Sequence, residues 1–221
     1  MKLTTLYESN SDLSLEEAVK IFHNECKPFQ KEIGFDGTFD FKTLKRGMKN
    51  KPSLLIGNVR PDRKPTDTPL PIHEFMDNWF YKKFGVRFRS NAMFATKSQG
   101  RAQIYGDVYI VFPIGEFKYC YSSTIDDLYA TIANKIESKL SSHYAPLTKE
   151  KFNDFLSDDD NLKFALDIVE KILSDSKYID SDLEKVSYFP EIMINCKSYL
   201  AIKSDLYDDF TKLYQETYKW N

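Results

Sequence analysis

The sequence predicts an α+β protein: a sheet flanked by helices, with a helical insertion ahead of the last strand. Apolar runs of strand length occur at 39–44, 54–56, 91–121 and 192–202, whereas apolar residues recur at helical spacing in the first thirty residues, over 72–84, across 125–186 and from 206 to 217. A chain of 221 residues that is 42% hydrophobic and 15% aromatic can bury one elaborated core, so the helical block is read as an insertion within a single domain spanning 1–221.

In the N-terminal helical region, residues 1–38, Ser14 and Glu17 form a capping-box pattern ahead of Ala18, Val19, Ile21 and Phe22, and Pro28 limits the helix. Alternation from Phe39 to Leu44 predicts a half-buried strand with Arg46-Gly47 just beyond it, and a second apolar run, Leu54 to Ile56, leads to Arg60. The stretch RPDRKPTDTPLP carries four prolines in twelve residues and is a loop. Ile72, Phe75, Met76, Trp79, Phe80 and Phe84 mark a helix that Gly85 stops. Residues 91–121 read as three strands, NAMFAT, DVYIVFP and FKYCY, with one or two helical turns over Ser98 to Tyr105. Two helical stripes follow in the 125–186 insertion: Ile125, Leu128, Ile132, Ile136 and Leu140, then Leu162, Ala165, Leu166, Val169, Ile172 and Leu173. Asp158 to Asp160 reads as a solvated helix start. Beta character returns over Ile192 to Ile202, and Leu206, Phe210, Leu213, Tyr214 and Thr217 mark a closing helix.

Composition narrows the function. The 31 basic and 33 acidic residues nearly cancel, so no overall electrostatic drive toward nucleic acid exists, although local basic patches stay open. The start of the chain lacks the apolar run of a signal peptide, and no stretch approaches the ~20 apolar residues that cross a bilayer, so a cytoplasmic, membrane-free protein is expected. Cys26, Cys120 and Cys196 are odd in number and widely spaced, which fits reduced thiols. His23, His73 and His143 are isolated, without the spacing of a zinc site or of a phosphodiesterase, and neither a P-loop nor a glycine-rich dinucleotide fingerprint is present.

Three polar elements attached to strand-like runs stand out: Arg46-Gly47, the step Phe94-Ala95-Thr96-Lys97-Ser98, and Glu191 opening Glu191-Ile192-Met193-Ile194. Each alone fits a structural part as well: a turn with an exposed charge, a strand end with a helix N-cap, a surface acid at a strand start. In this order they resemble the Arg–Ser–Glu signature of the NAD-dependent mono-ADP-ribosyltransferases. That family has an apolar strand leading into Arg-Gly, an aromatic residue and spacer before three hydroxyl residues, and a Glu opening a strand. Here Thr96 stands at the first hydroxyl position and Lys97 at the second; Ala102 and Tyr105-Gly106 resemble the residues that follow.

The resemblance spans about residues 39–202 without the insertion, and implies a split, mostly antiparallel sheet. It implies NAD as substrate, no metal, Glu191, Arg46 and Ser98 as catalytic residues, and Arg46, Gly47, Phe94, Thr96, Ser98 and Tyr105 around NAD. Loss of nicotinamide passes through an oxocarbenium-like state, which a carboxylate such as Glu191 stabilises while a guanidinium such as Arg46 grips phosphate or ribose oxygens. Family members that modify arginine carry Glu or Gln two positions before the catalytic Glu, whereas this chain has Phe189. A target other than arginine is therefore expected, whether another side chain, a nucleic acid or a small molecule, and the reading adopted is a macromolecular acceptor, protein or nucleic acid. Arg60 and Arg63 in the proline-rich loop form either an acceptor-side or diphosphate contact or part of a rigid connection, and Arg87, Arg89 and Arg101 bracket the hydroxyl step and widen the positive surface. The alternatives are an NAD glycohydrolase and a non-catalytic binding or inhibitor protein that kept the fold. The Lys, Tyr, Phe and Asn content resembles that of phage-encoded proteins.

Overall fold

The computed structural model describes residues 13–39, 43–65, 68–139, 149–186 and 190–218. Along them run α1 (Leu15–Glu25), α2 (Lys27–Glu32), β1 (Leu44–Met48), β2 (Leu54–Asn58), α3 (Leu70–Phe84), β3 (Met93–Ala95) and α4 (Gln99–Ile104). Then come β4 (Asp107–Tyr121), α5 (Leu128–Lys139), α6 (Lys149–Leu156), α7 (Asp159–Asp175), β5 (Ile192–Lys203) and α8 (Tyr207–Thr217). The protein is α+β, and its five strands form one antiparallel sheet in the order β1-β4-β5-β2, with β3 also paired to β5.

The two long strands organise the sheet. β4 and β5 pair from Tyr109↔Lys203 to Tyr121↔Ile192, with a register shift between Ile114 and Phe117. The expected separate strands DVYIVFP and FKYCY are thus one bulged strand. Pro113 is tolerated within it because β1 reaches only to Val111, so β4 has one strand partner there instead of two. β5 changes partner along its length, from β3 at Ile192–Ile194 to β2 at Ser198–Ile202, within one continuous sheet. β1 also differs from expectation: the strand begins at Leu44, and Arg46 and Gly47 lie within it. Residues 40–42, Leu140, His143 and Phe189 lie outside the described residues.

Helix termini follow local chemistry. The Ser14 hydroxyl accepts the Glu17 N–H (3.2 Å) and the Glu17 carboxylate accepts the Ser14 N–H (2.9 Å). α1 ends at Glu25, before Pro28, which sits in the first turn of α2, where a missing N–H costs nothing. Gly85 closes α3 with φ of 71°, a left-handed geometry that a side chain disfavours. Asp158 caps α7 by accepting the Asn161 N–H at 3.0 Å.

Two cores result. On one side α1, α2 and α8 cover the sheet, and Phe22 lies fully buried against Phe35, Phe39, Phe112, Phe210 and Tyr214. On the other, α3 and the insertion helices α5, α6 and α7 bury a second cluster that includes Cys120 and Met193. Strand alternation explains the division, because Ile192 and Ile194 face the first core and Met193 the second. The insertion therefore shares a core with the sheet.

Phe22→Ala removes the aromatic hub of the first core and is expected to cost about 3–5 kcal/mol. Urea unfolding followed by circular dichroism measures this.

Candidate active site

Near the end of the sheet where β3 meets β5, the chain encloses a cleft of about 190 Å³. Its walls carry Lys45, Arg46, Arg63 and Arg101 against Asp126, Asp127 and Glu191, with Phe94, Thr96 and Tyr105 between them. β1 reaches the cleft through a bridge to the end of β3, in which Lys45 and Thr96 exchange backbone hydrogen bonds of 2.7 and 2.9 Å. Two residues far apart in sequence, Arg46 and Glu191, thus line one cavity.

Phe94 gathers the positive charge. Its carbonyl oxygen accepts from Arg46 Nη1 at 3.3 Å, and its ring centroid lies 4.2 Å from the Arg63 guanidinium carbon and 4.8 Å from that of Arg89. Among the described residues neither Arg46 nor Arg63 has a carboxylate ion-pair partner, and Arg46 Nε is buried without a hydrogen bond. Burial, and then Arg89 and Arg46, hold the Arg63 pKa below its ordinary value. Crowded guanidinium groups short of carboxylates define an anion-attracting wall.

Glu191 immediately precedes β5 and donates its N–H to the Asp126 carbonyl at 3.2 Å. Its carboxylate, 27% exposed, accepts from Arg89 Nη1 at 3.0 Å. Burial pushes the Glu191 carboxyl above its ordinary pKa; Arg89 opposes this shift and the neighbouring Asp127 adds to it. Arg89 is itself anchored. Asp77 of α3 accepts the N–H groups of Arg89 (2.7 Å) and Ser90 (3.2 Å) and the Ser90 hydroxyl, and His73 Nε2 lies 3.0 Å from that hydroxyl.

The other residues singled out in the sequence have mixed positions. A Cβ on Gly47 would lie 1.9 Å from the Ala102 carbonyl oxygen and 2.8 Å from Tyr105 Cβ, so the close approach that Gly47 permits is that of α4 onto β1. Thr96 is buried, and its hydroxyl accepts the Ser98 N–H at 3.1 Å. Ser98 is not among the cleft-lining residues; its hydroxyl caps α4 by accepting the Arg101 N–H at 3.3 Å. Lys97 is buried and donates to the Glu184 carbonyl at 3.0 Å, away from any hydroxyl role. Tyr105, 63% exposed, stands at the rim. Arg63 lines the cleft, whereas Arg60 lines a separate groove of about 850 Å³ beside the β4 bulge.

Sequence reading missed Asp77, Ser90 and Asp127 as parts of this arrangement, and placed Arg89 only on a positive surface. Nothing in local spacing pairs Arg89 with Glu191. Arg101 donates to the carbonyl of Asp126 (2.9 Å) and to its carboxylate (3.0 Å), tying α4 to the segment before α5.

The three cysteines are free and buried, and burial pushes each thiol far above its ordinary pKa, that of Cys196 to about 12, so none is a thiolate at neutral pH. Among the described residues no group of three His, Cys, Asp or Glu side chains is arranged around a metal position, and no helix is long and apolar enough to cross a membrane. No family model matches the chain, and neither a curated protein nor a solved structure shows significant similarity to it.

Gly47→Ala forces α4 off β1 and is expected to destabilise the protein by at least about 1–3 kcal/mol, read as a lowered urea midpoint. A second expectation concerns pH. Burial lowers the His73 pKa, so the fold favours the neutral ring; its contribution is intact above the unfolded value of ~6.5 and is lost as pH falls below it. The urea midpoint should decline as pH drops from 7 to 5, less steeply in His73→Gln. His23, shifted in the same direction, adds to the decline, and Glu191, a carboxyl shifted upward, opposes it.

Proposed function

We propose that this protein is an NAD-dependent mono-ADP-ribosyltransferase with an ADP-ribosyltransferase-like fold, acting on a macromolecular acceptor at a group other than arginine. The observation that carries this reading is that Arg46, Phe94, Thr96, Tyr105 and Glu191 share one cleft in which two guanidinium groups lack carboxylate partners among the described residues. The donor set fits NAD. Arg46 and Arg63 would hold the diphosphate, Tyr105 at the rim offers a ring face to the nicotinamide, and Glu191 would accept from a ribose hydroxyl. The cleft is smaller than the ~300–1,000 Å³ of sites that enclose a whole ligand of drug size, so part of the dinucleotide would lie over its rim.

The reaction breaks the bond between the ribose C1′ and the nicotinamide nitrogen, which keeps the electron pair, while a lone pair of the acceptor forms the new bond to C1′ and the acceptor gives up its proton to solvent water. Glu191 contributes negative charge beside the developing cation, an interaction stronger in the transition state than in the bound substrate. Phe189 supports the acceptor class: an aromatic side chain neither orients nor deprotonates a guanidinium, but stacks on a flat group. A second reading, a binding or inhibitor protein that does no chemistry, is favoured by one observation, the Arg89–Glu191 ion pair that already compensates the carboxylate. Nicotinamide release separates the two. Label transfer from biotinylated NAD in a bacterial lysate, treated separately with protease and nuclease, distinguishes transferase from glycohydrolase and identifies the acceptor class.

Glu191→Gln keeps the shape and removes the charge, so nicotinamide release should fall at least about 10²-fold. The variant should remain folded, read as an unchanged circular dichroism spectrum at pH 7. Arg46→Ala should act mainly on KM for NAD. Equal nicotinamide release by Glu191→Gln and wild type would assign any activity elsewhere.

A further inference from the structure

We propose that Arg89 is the positioning residue for Glu191. This rests on the transferase reading of the cleft. Thr96 Oγ1 accepts the Ser98 N–H and Ser98 Oγ accepts the Arg101 N–H. Arg89 Nη1 meets the Glu191 carboxylate at 3.0 Å instead, from a side chain only 11% exposed.

Three features distinguish this pair from an ordinary surface ion pair. The backbone at Arg89 and Ser90 is pinned by Asp77, which is 2% exposed on α3 and accepts both N–H groups, so the guanidinium projects from a fixed base. The guanidinium also rests over the Phe94 ring, which fixes its plane. Its Nε is buried without a hydrogen bond, a cost borne where the head group is aimed at one partner. Arginine does not lose its charge in the working pH range, so Arg89 favours the ionised carboxylate against the burial that raises its pKa, and holds it in one orientation.

The charged groups around Glu191 are Arg89 and Arg63 from two loops, Asp126 and Asp127 ahead of α5, Lys45 and Arg46 of β1 and Arg101 of α4, with the titratable Tyr105 after α4, Cys120 of β4 and Tyr178 after α7. Of these, Arg89 alone has an ion-pair contact with Glu191 among the described residues. Glu191 acts ionised, so activity is present above its pKa and is lost as pH falls through it. Removing Arg89 raises that pKa and moves the acid limb of the activity profile to higher pH.

The test follows the Glu191 carboxyl by ¹³C NMR, assigned with Glu191→Gln, alongside the pH profile of nicotinamide release, in wild type, Arg89→Gln and Arg89→Lys. In Arg89→Gln the Glu191 titration should rise by about one to three pH units. The acid limb should move by the same amount, and KM for NAD should change far less than kcat. Arg89→Lys keeps the charge without the rigid fork, so its titration should lie between the other two, and it carries the test should Arg89→Gln not fold. An unchanged Glu191 titration in a folded variant, or an acid limb that does not follow it, overturns the Arg89 assignment alone. Absence of nicotinamide release by the wild-type protein at every pH overturns the transferase reading, and the catalytic part of Arg89 with it, whatever the titration shows.

Discussion

The β4–β5 pairing is the constraint on which the rest of the structure depends. Every other strand attaches to one of these two, β1 along the start of β4 and β2 and β3 in succession along β5. Because Tyr121 is opposite Ile192, the residue before β5 emerges where β4 ends and the insertion departs, which sets Glu191 against the Asp126 carbonyl. Register matters here in a direct way. A slip of one residue would exchange Ile192 and Ile194 with Met193 between the two cores, so burial on both faces fixes where Glu191 stands.

The helical insertion supports the site through the second core. Its helices pack with α3, and α3 carries Asp77, whose carboxylate fixes the turn from which Arg89 reaches Glu191. A chain of contacts thus runs from apolar packing to a single carboxylate. The hydrogen bonds in it are partly buried, and a buried acceptor such as Asp77 is stabilising only while its donors stay in place, which couples the order of the turn to that of the core.

Phe94 has two roles in the same cleft. As part of β3 it pairs with Met193, and as a ring and a carbonyl it receives three arginines that would otherwise repel one another in a confined space. Among the described residues the arrangement leaves Arg46 and Arg63 without carboxylate partners while committing Arg89 to Glu191.

The sequence by itself determined the α+β class and most of the helices, because capping and apolar periodicity are local. Ser14 with Glu17, Gly85 after Phe84 and Asp158 before α7 each close a hydrogen bond or a turn within a few residues. It also singled out Arg46, Phe94, Thr96, Tyr105 and Glu191, which the fold brings to one cleft. Tertiary structure alone decided that β4 runs through Pro113 without a break, since this depends on which neighbour is missing there. Likewise Gly47 reads as a turn residue until α4 is laid on β1. The division of labour among the site residues was also beyond the sequence: Ser98 caps a helix, Lys97 is drawn to a distant carbonyl, Arg60 lies in another groove, and Arg89 finds Glu191. Such pairings join residues as much as 102 positions apart, and no local preference of the chain encodes them.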